Sequence, residues 1–385
     1  MSLDSAQAVS LGTVRVVGTG LLGTSIGLGL RSSGCRVLLA DSSPTSLALA
    51  RDMGAGEVDP QDVPCDLVVV AAPPDVTANV VAAELMAHPA ATVTDVASVK
   101  GSIATALERH PDLKPDDRAR YVGGHPMAGR ERSGPVAARA DLFLGRPWVV
   151  CAASGVIPER ADQVRRLVLA LGASPVLMDA TDHDAAAALV SHLPQVAATL
   201  VAARLRRAGD SAVRLAGQGL RDVTRIAGSD PLLWAQILSA NAAPVLGPLR
   251  ELRTDLDALI EALNALEAAD SGESGDIEDA LGARAAVARL VADGNAGRDR
   301  IPGKHGAPPT SYAVITVLLP DRPGQLARLF HDIGEADINV EEFSLEHSPG
   351  QPVGMAEVSV LPAVRESLER ALTDRGWHVV ASAVP

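Results

Sequence analysis

The chain has 385 residues, which is long for one hydrophobic core and indicates two or three domains, because domains average about 150 residues. Hydrophobic residues make up 47% and charged residues 21% of the sequence, a composition typical of a globular protein rather than a disordered one. A net charge of -13 and only 8 aromatic side chains (3 Phe, 3 Trp and 2 Tyr) oppose binding to a phosphate backbone or stacking on bases. We therefore expect no nucleic-acid partner.

Cysteine usage and the N-terminal residues indicate a cellular compartment. Cys35, Cys65 and Cys151 are widely spaced and form no CxxC motif, which is typical of reduced thiols in a cytoplasmic protein. The first ten residues carry an acid and no basic segment, and no uninterrupted apolar run approaches the ~20 residues that span a bilayer. We therefore expect a cytoplasmic protein without a membrane partner.

Strands and helices alternate through the first half of the chain. Thr13–Val17 predicts a buried strand, residues 18–23 a glycine-rich turn, and residues 24–31 a helix. Further strands are predicted at 36–40, 66–72, 92–95, 121–123 and 148–151. Because these strands are apolar throughout, they indicate a parallel sheet covered by helices on both faces. The fold class predicted for residues 13–180 is an α/β Rossmann-like dinucleotide-binding domain.

The pattern changes near residue 181, where strand signals stop. Long Ala- and Leu-rich segments predict an all-α domain over 181–292, with helices at 182–208, 211–227, 230–249 and 250–268. Residues 293–310 contain four Gly and three Pro, which predicts a flexible linker. Beyond it, residues 311–385 predict the order βαββαβ, with strands at 312–319, 339–345, 354–360 and 377–381, which is typical of a ferredoxin-like domain.

The turn after the first strand carries a GxGxxG motif. Gly18 permits the tight turn, Gly20 admits a pyrophosphate, and Gly23 lets helix and strand pack closely. Backbone N–H groups at the helix start, at Leu21 and Leu22, would face the phosphates. The strand–turn–helix context that this motif requires is present, so we predict dinucleotide binding rather than a purely structural turn.

Asp41 ends the second strand, 23 residues after Gly18. A carboxylate there accepts hydrogen bonds from the ribose hydroxyls and repels a 2′-phosphate, which favours NAD over NADP. The alternative interpretation of Asp41 is a helix-capping acid, and Ser42 and Ser43 leave some room for the phosphorylated cofactor.

Two residues in the predicted α/β and helical parts suit dehydrogenase chemistry. His125, in GGHPMAG, follows a strand at the carboxyl edge of the sheet, where an imidazole could take a proton from a hydroxyl as hydride leaves. Packing within the loop is an equally good interpretation. Arg225 could bind a substrate carboxylate through two hydrogen bonds, although an ion pair with Asp222, three residues earlier, is slightly favoured by spacing alone.

Two further histidines, His183 and His192, have no second ligand at a spacing suited to zinc, so we expect no metal site. The segment Asp182–His183–Asp184 is interpreted as a helix start, where acids are favoured by the helix dipole.

Five segments, in this order and spacing, together resemble the prephenate dehydrogenase family over residues 13 to about 268: VVGTGLLGTSIGLGL, VTDVASVKGSI, GGHPMAG, DHDAAAALVSHLPQVAA and GLRDVTRIAGSDPLLWAQI. HPMAG with SHLP and RDxxRIA is the specific part of this set. The C-terminal segment DRPGQLARLFHDIGEADINV resembles an ACT domain, a small amino-acid-sensing module.

The family resemblance implies a reaction and roles for individual residues. The reaction is the oxidative decarboxylation of prephenate to 4-hydroxyphenylpyruvate with NAD as hydride acceptor, in tyrosine biosynthesis, by an enzyme whose helical domain dimerises. His125 would take the hydroxyl proton, Ser98 would orient His125 near the nicotinamide, and Arg225 would hold a substrate carboxylate. Glu131 matches a gate to the active site, with a surface salt bridge as its alternative, and Asp222 and Trp234 match a supporting pair.

The sequence departs from the family pattern at one position. After SHLP the family frequently has a second histidine, whereas this chain has Gln195, whose neutral amide carries no titratable charge. Arogenate, the amino relative of prephenate, is therefore retained as an alternative substrate. His192 lies within the matching helix and is expected either to shape the substrate site or to pack within the helix.

The resemblance to ACT domains implies an effector site. Asp321, Gly324 and Leu326 lie at the strand-to-helix turn, and Asn339 lies at the start of the second predicted strand. Related modules bind an amino acid at these positions, and the pathway suggests tyrosine or phenylalanine. The alternative is that DRPG is only a turn and binds no ligand.

Two alternative functions fit the sequence less well. A β-hydroxyacid or 6-phosphogluconate type dehydrogenase would offer a catalytic lysine on its helical domain, but no lysine occurs between Lys114 and Lys304. A non-catalytic sensor that binds NAD and an amino acid is opposed by the joint presence of His125, Ser98 and Arg225.

Overall fold

The computed structural model describes residues 11–60, 63–129, 134–271, 277–302, 312–347 and 352–380. The chain divides into two compact units. The first consists of Met1–Ala208 and Val223–Leu252, and the second of Gly209–Asp222 and Arg253–Pro385. Residues of the predicted helical domain, 181–292, fall in both units.

An eight-stranded sheet organises the first unit, in the order β3-β2-β1-β4-β5-β6-β7-β8. Its strands are β1 (Thr13–Val17), β2 (Arg36–Ala40), β3 (Glu57–Val58), β4 (Leu67–Val70), β5 (Thr92–Asp95), β6 (Tyr121–Pro126), β7 (Pro147–Cys151) and β8 (Ser174–Leu177). This Rossmann-like arrangement confirms the predicted fold class. The sequence pattern gave no signal for the two-residue β3 or for β8.

Two strands depart from the predicted parallel sheet, because β7 pairs with β6 in the antiparallel sense and β8 pairs with β7 in the parallel sense. A parallel return needs a long crossover connection, usually a helix. Between β6 and β7 the described residues contain only a single 3₁₀ turn, Pro135–Ala137. The prediction of a wholly parallel sheet was wrong at this point.

Helices cover both faces of the sheet: α1 (Leu21–Ser32), α2 (Pro44–Asp52), α3 (Pro74–Ala87), α4 (Gly101–Glu108), α5 (Pro115–Arg118) and α6 (Pro158–Ala170). Strand β4 shows why the strands read as continuous apolar runs. Val69 belongs to one hydrophobic cluster with Ile26, whereas Val68 and Val70 belong to a second cluster with Val81. Alternate side chains of one strand therefore fill two separate cores.

A long helix follows β8 and brings polar residues into the first unit. It comprises α7 (Ala180–Ala187), a π-helical turn (Ala188–His192) and α8 (Leu193–Leu205). Pro194 lies two residues after the end of the π turn and has no N–H to donate to the helix, which accounts for the local change in hydrogen bonding. The predicted helix 182–208 is thus present with an irregularity that propensity alone does not reveal.

Five further helices follow: α9 (Asp210–Val213), α10 (Gln218–Ile226), α11 (Pro231–Ala240), α12 (Ala242–Ser271) and α13 (Ile277–Arg298). Helix α13 includes residues 293–298, so the predicted linker 293–310 was wrong over its first residues. Gly294 and Gly297 lower helix propensity but do not end the helix. Residues 303–310 of that predicted linker lie outside the described residues.

Two helical segments among the described residues are apolar enough, by length and composition alone, to cross a membrane. One is Ala180–Leu205, and the other is the bent pair formed by Pro231–Ala240 and Ala242–Asp270. Neither segment is an uninterrupted apolar run, because polar residues interrupt the alanine- and leucine-rich sequence. In Ala180–Leu205, the interrupting residues His183, Asp184 and His192 are buried within the first unit.

The second unit contains a four-stranded antiparallel sheet in the order β10-β11-β9-β12. Its elements are β9 (Ala313–Pro320), α14 (Gln325–Gly334), β10 (Glu342–His347), β11 (Val353–Val360), α15 (Arg365–Asp374) and β12 (His378–Val380). Ile315, Val317, Leu329 and Trp377 belong to its core. Strand β10 begins at Glu342, so Asn339 lies before the strand rather than at its start.

Candidate active site

The turn between β1 and α1 is built by three glycines with different surroundings. Gly18 has φ of 95°, and a Cβ there would lie 2.4 Å from the carbonyl oxygen of Ala71. A Cβ on Gly23 would lie 1.8 Å from the carbonyl oxygen of Gly18. A Cβ on Gly20, in contrast, would have no atom within 4 Å. Two of the glycines are therefore required by packing, and the third lines open space.

The open space at Gly20 lies at the N-terminus of α1. Gly20 is the N-cap residue, and no side chain caps the helix, so the first N–H groups, including those of Leu21 and Leu22, have no capping side chain. Such groups, together with the helix dipole, favour a phosphate. The loop therefore fits a dinucleotide pyrophosphate.

Asp41 is fixed at the end of β2 by three hydrogen bonds. Its carboxylate accepts from the N–H (2.5 Å) and hydroxyl (2.7 Å) of Thr19 and from the N–H of Ser43 (2.7 Å). The side chain that caps α2 is that of Ser43, which accepts from Ser46 N–H. Asp41 is therefore not the helix cap, and its carboxylate is held beside the glycine-rich turn.

His125 lies near the end of β6 and is buried, with 8% of its surface exposed. Its Nδ1 lies 2.8 Å from Nε2 of His183, and the two rings meet edge to face. Nε2 of His125 makes no hydrogen bond to any residue that the structure describes. Burial lowers the pKa of His125 well below its ordinary value, and electrostatic interactions with Lys100, His183 and His192 lower it further. The ring is therefore neutral at physiological pH.

His183 is anchored by Asp184, the next residue in α7. Nδ1 of His183 lies 2.8 Å from Oδ1 of Asp184. The Asp184 carboxylate also accepts the N–H groups of Lys100 and Gly101, each at 2.8 Å, at the start of α4. Burial raises the pKa of Asp184, but the hydrogen bonds outweigh it and leave that pKa below its ordinary value. The segment Asp182–His183–Asp184 lies at the start of α7, as predicted, but His183 and Asp184 also join a buried hydrogen-bonded group that the helix-start pattern does not reveal.

Lys100 and Asp95 form a buried ion pair. Nζ of Lys100 also donates to the carbonyl of Gly124 (2.7 Å), and the hydroxyl of Tyr121 donates to Asp95 (2.7 Å). Burial and the Asp95 charge hold the pKa of Tyr121 well above its ordinary value, so its hydroxyl remains a donor. These contacts fix the backbone immediately before His125.

A second buried group surrounds His192 on the same long helix. Asn241 donates through Nδ2 to the carbonyl of Asp184 (2.9 Å) and lies 3.0 Å from Nδ1 of His192. Because the carbonyl fixes the amide orientation, Nδ1 of His192 accepts and its proton is on Nε2. Trp234 packs edge to face on the His192 ring, with centroids 5.9 Å apart. His192 is thus held in place by hydrogen bonding and by aromatic packing.

Gln195 is buried beside this group. Its Oε1 accepts from the hydroxyl of Ser229 (3.3 Å), and its Nε2 donates weakly to Thr199 (3.5 Å). Both partners are neutral, so among the described residues Gln195 makes no hydrogen bond to a charged group.

The other predicted site residues are distributed as follows. Ser98 is half-buried in the loop after β5 and makes no hydrogen bond to His125, so its orienting role stays a prediction. Arg225 is exposed on α10, and Asp222 accepts a hydrogen bond from Gln218 (2.8 Å). Glu131 lies outside the described residues.

The described residues contain no group of three His, Cys, Asp or Glu side chains placed to hold a metal ion.

Sequence reasoning missed Lys100, Asp95, His183, Asp184 and Asn241. A signal was present for two of them: Asp95 ends an apolar strand and Lys100 follows in the same loop, at the carboxyl edge where ligands of such sheets bind. The contact between His125 and His183 spans 58 residues, and no local pattern predicts it.

The predicted effector residues all lie in the second unit. Gly324 caps α14 with φ of 87°, and Leu326 is partly exposed in the first turn of that helix. The N–H of Asp321 donates to the carbonyl of Pro352 (2.9 Å), and the Asn339 amide donates to Glu341 (2.9 Å).

Comparison with known proteins places this geometry in a family. Residues 26–177 match the family described as prephenate dehydrogenase, nucleotide-binding domain, and residues 179–274 match prephenate dehydrogenase, dimerization domain. The chain is 40% identical to the probable prephenate dehydrogenase NovF of Streptomyces niveus, over 95% of this chain and 98% of the relative.

Two solved structures are also similar. Prephenate dehydrogenase from A. aeolicus in complex with hydroxyphenyl propionate and NAD+ has a TM-score of 0.61 at 27% identity, covering 74% of this chain and all of that one. Synechocystis arogenate dehydrogenase has a TM-score of 0.58 at 26% identity, covering 75% and 99%. On this evidence the chain belongs to the prephenate dehydrogenase family and is an NAD-dependent oxidoreductase.

Proposed function

We propose that this enzyme catalyses the NAD-dependent oxidative decarboxylation of prephenate to 4-hydroxyphenylpyruvate in tyrosine biosynthesis. The observation that carries the proposal is His125, a buried imidazole near the carboxyl end of β6 whose Nε2 is unpaired within the described residues and whose Nδ1 is bound by His183. The family membership and the 40% identity to a probable prephenate dehydrogenase support the same substrate.

The cofactor supplies one element of this chemistry: when bound, NAD accepts a hydride. Gly18, Gly20 and Gly23 would admit it, the first turn of α1 with Leu21 and Leu22 would hold its phosphates, and Asp41 would accept hydrogen bonds from its ribose. The carboxylate of Asp41 disfavours a 2′-phosphate at that place by charge repulsion.

In this reaction the protein itself accepts and returns one proton, through His125. As hydride leaves the ring carbon, the electron pair of the O–H bond moves into the carbon–oxygen bond, and the proton passes to Nε2 of His125. Loss of carbon dioxide returns an electron pair through the ring to that oxygen, which takes the proton back as a phenol. A histidine with a lowered pKa is neutral at the start and returns its proton readily.

Substrate recognition is assigned to the residues that the family resemblance identifies. Arg225 would bind a carboxylate, Ser98 would orient His125, and Glu131 and Asp222 would support the site. His192 and Gln195 would shape it from the long helix, where both side chains are buried.

Arogenate is the second candidate substrate. Gln195 places a neutral amide where the family frequently has histidine, and its partners Ser229 and Thr199 are also neutral. The similarity to Synechocystis arogenate dehydrogenase gives this alternative independent support.

Product identification tests the proposal. Purified enzyme is incubated with NAD and with either prephenate or arogenate, and the products are separated and identified by mass spectrometry. We expect 4-hydroxyphenylpyruvate and NADH from prephenate. Tyrosine from arogenate, with no product from prephenate, would replace the first assignment by the second. Absence of NADH with both acids would revive a non-catalytic sensor.

We also propose that residues 311–385 form a ferredoxin-like, ACT-type domain that binds tyrosine or phenylalanine near Asp321, Gly324, Leu326 and Asn339. The element order and the strand order β10-β11-β9-β12 support this fold. Titration calorimetry with each amino acid tests it, with Asp321→Ala expected to weaken binding. If the heat of titration equals that of the dilution control for both amino acids, the DRPG segment is only a turn and binds no ligand.

Finally, we propose a cytoplasmic homodimer. The match to a dimerization domain supports it, as do exposed apolar side chains on the long helix and α11, among them Leu189, Val190, Leu200 and Leu232. The free thiols Cys35, Cys65 and Cys151 are compatible with a reducing compartment. Light scattering on a sizing column should give twice the chain mass, and the chain mass itself would contradict the dimer.

A further inference from the structure

His125, His183 and Asp184 form a continuous hydrogen-bonded chain inside the first unit. Both contacts, Nδ1 of His125 to Nε2 of His183 and Nδ1 of His183 to Oδ1 of Asp184, measure 2.8 Å. All three side chains are at least nine-tenths buried. The proposed reaction, as derived above, uses only His125.

The protonation state of this hydrogen-bonded chain follows from Asp184, the residue at its end. Asp184 accepts two backbone N–H groups at the start of α4, and its lowered pKa keeps it ionised, so it can only accept. Nδ1 of His183 must therefore carry a proton, and the neutral tautomer with its proton at this nitrogen has its lone pair on Nε2. That lone pair requires a proton on Nδ1 of His125, which leaves Nε2 of His125 as the free base.

We propose that His183 and Asp184 are positioning residues that select the reactive tautomer of His125 and stabilise its protonated form during turnover. The inference rests on the proposed function, since it assigns the proton acceptor for that reaction. When Nε2 of His125 takes the hydroxyl proton, the imidazolium already donates through Nδ1 to His183, and the Asp184 carboxylate supplies the opposing charge. The proton remains on His125 until it returns to the phenolic oxygen, so none is lost.

The charged surroundings show why such support is needed. Lys100 donates to the carbonyl of Gly124, next to His125 in the chain, and is paired with Asp95; both Lys100 and His192 lower the pKa of His125. Tyr121 stays neutral at ordinary pH. Among the described groups that act on His125, only Asp184 reaches it through a hydrogen-bonded chain that ends in a negative charge. An imidazolium in this buried place would otherwise be strongly disfavoured.

Two substitutions separate selection of the His125 tautomer from stabilisation of protonated His125. Asp184→Asn can place an amide N–H₂ against His183, which allows the tautomers to invert so that Nε2 of His125 carries the proton; we expect kcat to fall about 10²-fold or more. His183→Gln can still accept from Nδ1 of His125 through its carbonyl, but its amide cannot share positive charge. We expect a smaller loss of about 10-fold. KM for NAD should change less than about twofold in both.

Asp182→Asn is the matched control, because Asp182 is exposed in the same helix turn and the chemical change is the same. Its kcat should equal that of the wild type. Thermal unfolding of every variant separates loss of rate from loss of fold. If Asp184→Asn unfolds at the assay temperature, His183→Gln carries the kinetic test.

The decisive readout is the ring-nitrogen ¹⁵N NMR spectrum of histidine-labelled protein without substrate, assigned with His125→Asn. We expect His125 protonated on Nδ1 in the wild type and on Nε2 in Asp184→Asn. Protonation on Nε2 in the wild type, or equal kcat in Asp184→Asn and Asp182→Asn, would overturn the inference. Inactivity of the wild type on both acids would refute the proposed function, while the NMR result would still decide the tautomer.

Discussion

Alanine substitutions at two glycines of the β1–α1 turn should affect different properties, stability at Gly23 and NAD binding at Gly20, although the two residues are only three positions apart. In Gly23→Ala the new Cβ would lie 1.8 Å from the carbonyl oxygen of Gly18, so strand and helix must separate by about 1 Å or more. In Gly20→Ala the Cβ meets no atom within 4 Å, and the backbone angles of Gly20 (φ -71°, ψ -159°) are open to alanine.

The magnitudes follow from these contacts. Overpacking against a rigid backbone atom costs about 3 kcal/mol, the upper end of the usual range, so Gly23→Ala should lower Tm by about 6–12 °C. Gly20→Ala should leave Tm within about 1 °C of the wild type. Its methyl group would occupy the space through which the pyrophosphate approaches α1, so Kd for NAD should rise at least about 10-fold, or 1.4 kcal/mol.

Differential scanning fluorimetry measures Tm, and quenching of tryptophan fluorescence or calorimetry measures NAD binding. Gly217→Ala is a suitable control, because a Cβ there also meets open space and the residue is far from the turn in sequence. Wild-type NAD affinity in a folded Gly20→Ala protein would refute the placement of the pyrophosphate. Equal destabilisation by both turn substitutions would refute the packing argument.

Three further outcomes are expected. His125→Asn should reduce kcat by about 10²–10⁴-fold while retaining NAD affinity, and an unchanged rate would remove His125 as the base. Arg225→Gln should raise KM for prephenate far more than KM for NAD; equal increases would argue against a carboxylate contact. The third concerns pH: because His125 has a lowered pKa in the folded state, the unfolded state binds more protons below about pH 6.5. The free energy of unfolding should therefore fall as pH drops below that value, and denaturant titrations at pH 7 and pH 5.5 would expose a contrary trend. Asp184, with its lowered pKa, adds a further loss only as pH falls below about 4.

The fold of the first unit was largely predictable because its strands and turn have strong local signals. Leu67–Val70 is apolar at every position, which is typical of a strand buried on both faces, and the GxGxxG turn fixes the first βα unit. The antiparallel direction of β7 was not predictable in this way. It depends on the absence of a crossover helix in the described part of the connection, and the strand's own sequence is equally compatible with either direction.

The site was predictable in part, and the missing part has a physical cause. His125 follows an apolar strand, so its place at the carboxyl edge could be inferred from the sequence. His183 and Asp184 looked like an ordinary helix start because acids are common there. Their burial depends on the α4 N-terminus, which lies more than 80 residues earlier in the chain. Such a contact is created by tertiary packing, and helix propensity does not encode it.

The central claim is that this enzyme oxidises prephenate with NAD. The most direct test is kcat/KM for prephenate and for arogenate, each with NAD and with NADP, followed by reduced-cofactor absorbance at about 340 nm. We expect the prephenate and NAD pair to have the highest of the four values. A higher value for arogenate would contradict the substrate assignment and make Gln195 the first position to examine, and four values at background would contradict the enzymatic function itself.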